Sequence, residues 1–187
     1  MKNIAVFASG SGSNAENIFN HFRGSSVAQV RLFLTENPSA YVLERAKRLG
    51  VRAVVFGMDE FRSGGVLQVL KEEQVDFIVL AGFLKLIPSY LIDAYPNGIV
   101  NIHPALLPKF GGKGMYGDRV HAAVIAAGER ESGITIHYVN HKYDEGKTIF
   151  QASCPVLATD SAADLAQRVH ELEYKHFPTV IERVLKG

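Results

Sequence analysis

Three short runs in this 187-residue chain bring together side chains able to do chemistry. The first is Ser9-Gly10-Ser11-Gly12-Ser13-Asn14. Its glycines let the main chain come close to a ligand, and a helix starting there offers unpaired N–H groups and the positive end of its dipole. A phosphate suits that arrangement, with Gly12, Ser13 and Asn14 as its ligands; a plain strand-to-helix turn capped by Ser13 or Asn14 is the other reading. The run departs from a dinucleotide fingerprint at Ala15 and lacks the lysine of a P-loop. The second run is Asn101-Ile102-His103-Pro104. On a strand Asn101 and His103 point to one side, so an amide donor can hold a developing oxyanion beside an imidazole that moves protons. The third is Tyr143-Asp144-Glu145-Gly146, either a simple turn or, if it lies near His103, a carboxylate that raises the imidazole's pKa.

Elements must hold these runs in place. Apolar runs at Asn3–Ala8, Val27–Leu34, Arg52–Phe56, Phe77–Ala81 and Ile99–Ile102 read as strands. They alternate with helical patterns at 14–22, 39–49, with Ser39 as cap and Gly50 as stop, 66–73, and a short helix started by Pro88. That alternation predicts an α/β fold with an open, mostly parallel, doubly wound Rossmann-like sheet. In such sheets ligands sit outside the carboxyl ends of the strands, where the first two runs fall. The second half holds a glycine-rich loop from His103 to Gly117, a helix from Asp118 to Ala127, and a strand pair at 133–139 and 148–156. A long final helix starts at Ser161, and Pro178 is expected to interrupt it. The whole of 1–187 reads as one domain, without repeats or linkers.

Composition narrows the function classes. A net charge of +1 gives no general attraction for nucleic acid, and no stretch reaches membrane-spanning length. The apolar run after Met1 ends at a glycine cluster, too short for a signal peptide, so a soluble cytoplasmic protein is expected. Cys154, the single cysteine, has no activating base beside it and reads as a buried structural thiol. The seven histidines lack metal-site spacing; His137 and His141 are four apart but fall on a strand and its following turn, so no metal is expected.

In order, GSGSN at 10–14, LAGFLKLIP at 80–88, NIHPALLPKF at 101–110 and YDEGKTIFQ at 143–151 resemble the phosphoribosylglycinamide formyltransferase family over nearly the whole chain. The resemblance implies the formyltransferase fold, 10-formyltetrahydrofolate as co-substrate and no metal. It implies direct attack of the amine of phosphoribosylglycinamide on the formyl carbon, through a tetrahedral intermediate. Asn101, His103 and Asp144 would be catalytic, and Gly12, Ser13, Asn14, His170 and Glu173 would bind the phosphorylated substrate. Folate would lie against Leu84, Lys85, Leu86 and Ile87, under the loop Asn140, His141, Lys142, Tyr143 and Asp144, with Asn101 beside it and Arg62 near its tail. The partners implied are small molecules, with the chain a monomer or a homodimer.

The chain departs from the family pattern where a His-x-His pair is common: Arg119-Val120-His121 stands there, and Arg119 is expected within ion-pair reach of Asp144. The 104–117 loop is also longer and richer in glycine than is usual. Two related activities compete, the catalytic domain of a methionyl-tRNA formyltransferase and a formyltetrahydrofolate hydrolase. Each normally carries a further domain that these 187 residues do not include. A non-catalytic nucleotide-binding Rossmann module would explain the glycine loop but leave the Asn101–His103 strand end and the Asp144 turn without a purpose.

Overall fold

Alternate residues of the first strand face opposite sides, and both sides are buried. In β1 (Lys2–Phe7) of the computed structural model, which describes residues 1–187, Ile4 and Val6 join one apolar core while Ala5 and Phe7 join another. A strand with two dry faces belongs in the middle of a three-layer structure. The chain runs on through α1 (Ser13–Phe22), β2 (Ala28–Thr35), α2 (Val42–Leu49) and β3 (Arg52–Val55). Then come α3 (Met58–Ser63), α4 (Gly65–Glu72), β4 (Phe77–Leu80), α5 (Ser89–Ala94) and β5 (Ile99–His103). It closes with α6 (Asp118–Ala126), β6 (Glu131–Tyr138), β7 (Thr148–Pro155) and α7 (Ala162–Lys186).

The seven strands lie in the order β3-β2-β1-β4-β5-β6-β7, parallel from β3 to β5 and antiparallel across β5, β6 and β7. Apolar residues of α1, α2, α6 and α7 pack on one face, and those of α3, α4 and α5 on the other. Strand order reverses between β1 and β4, so their carboxyl ends open a crevice between the loops that follow them. The antiparallel register sets Asn101 opposite His137 and His103 opposite Thr135.

Three local expectations give way. Ser39 does not cap α2: its N–H bonds the Asn37 side chain at 3.0 Å in a preceding turn, and Tyr41 takes the cap position. A short helix, α3, occupies 58–63, where none was expected. Pro178 does not interrupt α7, which is continuous and buries it. A proline leaves the carbonyl four residues back without its helical donor, and the Asn17 amide of α1 donates to that carbonyl, Tyr174 O, at 2.9 Å. Cys154 is buried in the larger core, and burial pushes its thiol pKa up. No helix is long and apolar enough to cross a membrane.

Candidate active site

The loops after β1, β4 and β5 and the Asn140–Asp144 turn surround one cleft of about 790 Å³, closed on one side by α7. Its size is that of pockets that enclose small molecules. At one end, the turn after β1 enters α1 through Gly12 at φ 71°, a left-handed conformation that suits glycine. A Cβ there would also stand 2.5 Å from Val42 Cγ2, so α2 packs directly on the turn. The Gly12, Ser13 and Asn14 N–H groups have no main-chain acceptor. From α7, Glu173 accepts from Asn14 Nδ2 at 2.8 Å and from His170 Nδ1 at 2.7 Å, while Ser13 Oγ lies 3.2 Å from His170 Nε2. Five residues named from the sequence, Gly12, Ser13, Asn14, His170 and Glu173, thus converge.

Asn101, His103 and Asp144 meet at the centre. His103 Nε2 donates to the Phe110 carbonyl at 2.7 Å, and its Nδ1 lies 3.6 Å from Asp144 Oδ2. Asp144 accepts from the Gly112 N–H at 2.9 Å, and its other oxygen lies 3.6 Å from His137 Nε2. His137 Nδ1 donates to the Tyr138 carbonyl at 2.9 Å, and its Nε2 accepts from Asn101 Nδ2 at 3.1 Å. One of the two Asn101 amide hydrogens is therefore taken and the other is free. Gly146 makes this turn possible, since a Cβ there would lie 1.6 Å from the Tyr138 carbonyl oxygen.

Burial sets the charge states. It pulls His103 below the ordinary imidazole range, and the opposing pull of Asp144 and the Phe110 carbonyl does not overcome it. A net rise in the His103 pKa, expected from an adjacent carboxylate, is thus corrected. Burial opposes ionisation of Asp144 too, but the nearby His137 and His103 rings and the hydrogen bond from the Gly112 N–H hold its carboxyl low. The resting pair is a neutral imidazole beside a carboxylate.

Along another wall, Leu84 and Leu86 are exposed to the cleft, Ile87 is buried, and Lys85 lies 3.8 Å from Glu36. Ser9 Oγ braces this wall by accepting the Leu84 N–H and donating to Glu36, both at 3.0 Å. Asn140, Lys142 and Tyr143 line the cleft opposite. Two residues named for the folate are not brought in. Arg62 sits on exposed α3 beside Asp59 at 3.5 Å, and His141 turns outward to 3.8 Å from Asp93. Nor does Arg119 pair with Asp144: it is exposed and lies over the Tyr116 ring, 5.0 Å from its centre. His137 and the neighbouring His103 occupy the places such a pair would need.

His137 and His121 also line the cleft, and the sequence reading did not place them there. Alternation on β6 puts His137 on one face with Thr135, and the antiparallel register sets them beside Asn101 and His103 of β5. His121, buried in the cleft wall with its Nδ1 unpartnered, is the one histidine of the Arg119-Val120-His121 stretch. No three or more His, Cys, Asp or Glu side chains gather as a metal site.

Comparison with known proteins assigns the chain to a family. Residues 2–181 match the formyl transferase family model. The chain is 43% identical over 187 aligned residues to the chloroplastic phosphoribosylglycinamide formyltransferase of Arabidopsis thaliana, covering 96% of this chain and 64% of that protein. It thus spans less than two thirds of that plant relative. Against phosphoribosylglycinamide formyltransferase of Bacillus subtilis it is 36% identical, covering 99% and 95% of the two chains. The crystal structure of phosphoribosylglycinamide formyltransferase from Streptococcus pneumoniae superposes with a TM-score of 0.87 at 39% identity, over 98% and 99% of the chains. Glycinamide ribonucleotide transformylase 1 from Symbiobacterium toebii gives 0.92 at 33% identity, over 100% and 89%. By fold and by sequence, the chain belongs to the formyl transferase family, in the phosphoribosylglycinamide formyltransferase branch.

Proposed function

We propose that the chain transfers the formyl group of 10-formyltetrahydrofolate to the amine of 5-phosphoribosylglycinamide, a step of purine biosynthesis, as one cytoplasmic domain over 1–187. The observation that carries this reading is that a single cleft joins the Gly12–Asn14 turn to the Asn101, His103 and Asp144 cluster. A substrate with phosphate at one end and a nucleophilic amine at the other spans those two places.

The walls fit the folate. An apolar ledge at Leu84, Leu86 and Ile87 faces the polar loop of Asn140, Lys142 and Tyr143, which suits a flat ring with hydrogen-bonding edges. That co-substrate supplies a formyl group carried on nitrogen. The chain's own residues do the rest. The free N–H groups of Gly12, Ser13 and Asn14 hold the phosphate at the start of α1, and His170 and Glu173 reach the same substrate from α7. The uncommitted Asn101 N–H meets the negative charge that grows on the formyl oxygen as the amine attacks. The attacking nitrogen must lose a proton. Neutral His103 takes it at Nδ1, since Nε2 is committed to Phe110, and Asp144 stabilises the imidazolium that results. The same proton then returns to the leaving nitrogen, so no charge accumulates.

Purified protein given both substrates should produce formylated phosphoribosylglycinamide and free tetrahydrofolate in equal amounts. The unphosphorylated ribosylglycinamide should react poorly. No product with either amine would defeat the proposal, and equal rates with both would remove the phosphate contact from it.

A further inference from the structure

The turn at Gly10–Asn14 is gripped from outside the cleft by α2. The Val42 N–H donates to the Gly10 carbonyl at 3.1 Å. Arg45, one turn further on, reaches the next residue: its Nε donates to the Ser11 carbonyl at 2.7 Å and its Nη2 lies 3.3 Å from Ser11 Oγ. The third nitrogen, Nη1, bonds Glu16 in the first turn of α1, and the Tyr41 ring lies under the guanidinium at 5.1 Å. Glu16 also takes Arg48 Nη2 at 2.6 and 2.7 Å. Arg45 is four-fifths buried and does not line the cleft.

A trans peptide holds its C=O and the following N–H in one rigid plane, pointing in opposite directions. Whatever draws the Ser11 carbonyl outward therefore turns the Gly12 N–H inward. The same cluster handles charge. Glu16 lies beside a turn that must receive an anion, and its repulsion would oppose binding there. Two guanidiniums on one carboxylate leave the cluster with a surplus positive charge, and hydrogen bonds from both hold the Glu16 carboxyl low against the opposing effect of burial.

We propose that Arg45 is a positioning residue for the substrate's phosphate: by anchoring the Ser11 carbonyl it aims the Gly12 N–H into the cleft. This rests on the reading of Gly12–Asn14 as the phosphate site. Arg45→Met should raise KM for phosphoribosylglycinamide about tenfold, equivalent to ~1.4 kcal/mol. KM for 10-formyltetrahydrofolate and kcat should stay within about twofold, since only uniform substrate binding is lost. Arg45→Lys keeps the charge but not the forked geometry and should show most of the same rise. Arg45→Met combined with Glu16→Gln removes both the anchor and the repulsion, and its KM should remain raised. A folded Arg45→Met with unchanged KM, or full recovery in the double variant, would overturn the proposal. Titration of inorganic phosphate against amide NMR signals separates the two ideas. No response at Gly12–Asn14 in the unaltered protein would remove the phosphate site itself and the proposal with it. Equal phosphate affinity in the unaltered protein and Arg45→Met would remove only the role of Arg45.

Discussion

His103 has its Nε2 proton committed to the Phe110 carbonyl, so every protonation change it makes must occur at Nδ1, facing Asp144. An imidazole with one nitrogen tied to the main chain cannot rotate, and that fixes where the proton arrives. His103→Ala should cut kcat by at least about a hundredfold with the fold intact, as removal of a general base commonly does. Near-normal turnover would make His103 structural. Arg119 gives the contrasting case. Lying over Tyr116 with no carboxylate partner, it should be replaceable by alanine without moving the pH–rate profile; a shifted acid limb in Arg119→Ala would return it to the site. Strand alternation pairs Asn101 with His103 in the sequence, whereas the Asp144 turn reads equally as a simple turn, and only the family resemblance singles it out. His137 was not legible there, because its place beside Asn101 depends on the β5–β6 register. The outward turn of His141, Arg62 and Arg119 was equally hidden: all three sit on exposed segments whose facing is set by packing, not by residue type.

Helix α7 shows how one element is completed by another. Ser161 marks its start in the sequence, and a capping box forms there, with Ser161 Oγ accepting from the Asp164 N–H at 3.2 Å. Pro178 argues for a break seventeen residues on, and local rules cannot tell that α1 will supply the missing donor. The contact has a measurable signature. Asn17→Ala should cost roughly 0.5–1.5 kcal/mol, the usual net value of such a bond. In a Pro178→Ala background the alanine N–H can serve Tyr174 O itself, so the Asn17 change should cost close to nothing. A double-mutant cycle by urea unfolding reads that coupling directly. Additive effects would mean that Asn17 acts through some other contact.

At the scale of the whole molecule, packing the sheet on both faces has buried histidines that would ionise freely in water. Burial is the first cause in each case: it holds His103, His121 and His176 below the ordinary value of 6.5, against the nearby carboxylates in the first two and with Lys175 adding to it in the third. When the folded pKa is below the unfolded one, the unfolded chain binds more protons across the interval between them, so stability falls as pH falls. For these histidines the loss begins as pH drops through about 6.5 and is complete below their folded values. The depressed carboxylates act in the same direction at lower pH. Asp160, held at about 2 by Arg168, and Asp144 begin to lose their contribution as acid passes the ordinary value of 3.8, and the loss is complete below their folded values. Melting temperature should therefore be level from pH 8 to 7, fall between about 6.5 and 5, and fall further in stronger acid. His121 is the cleanest place to test the histidine part, because its buried Nδ1 has no partner in the fold to lose. His121→Gln removes its titration and should flatten the decline between pH 7 and 5 relative to the unaltered chain. A melting temperature that stays level or rises toward pH 5 in the unaltered protein would mean that burial does not govern these imidazoles.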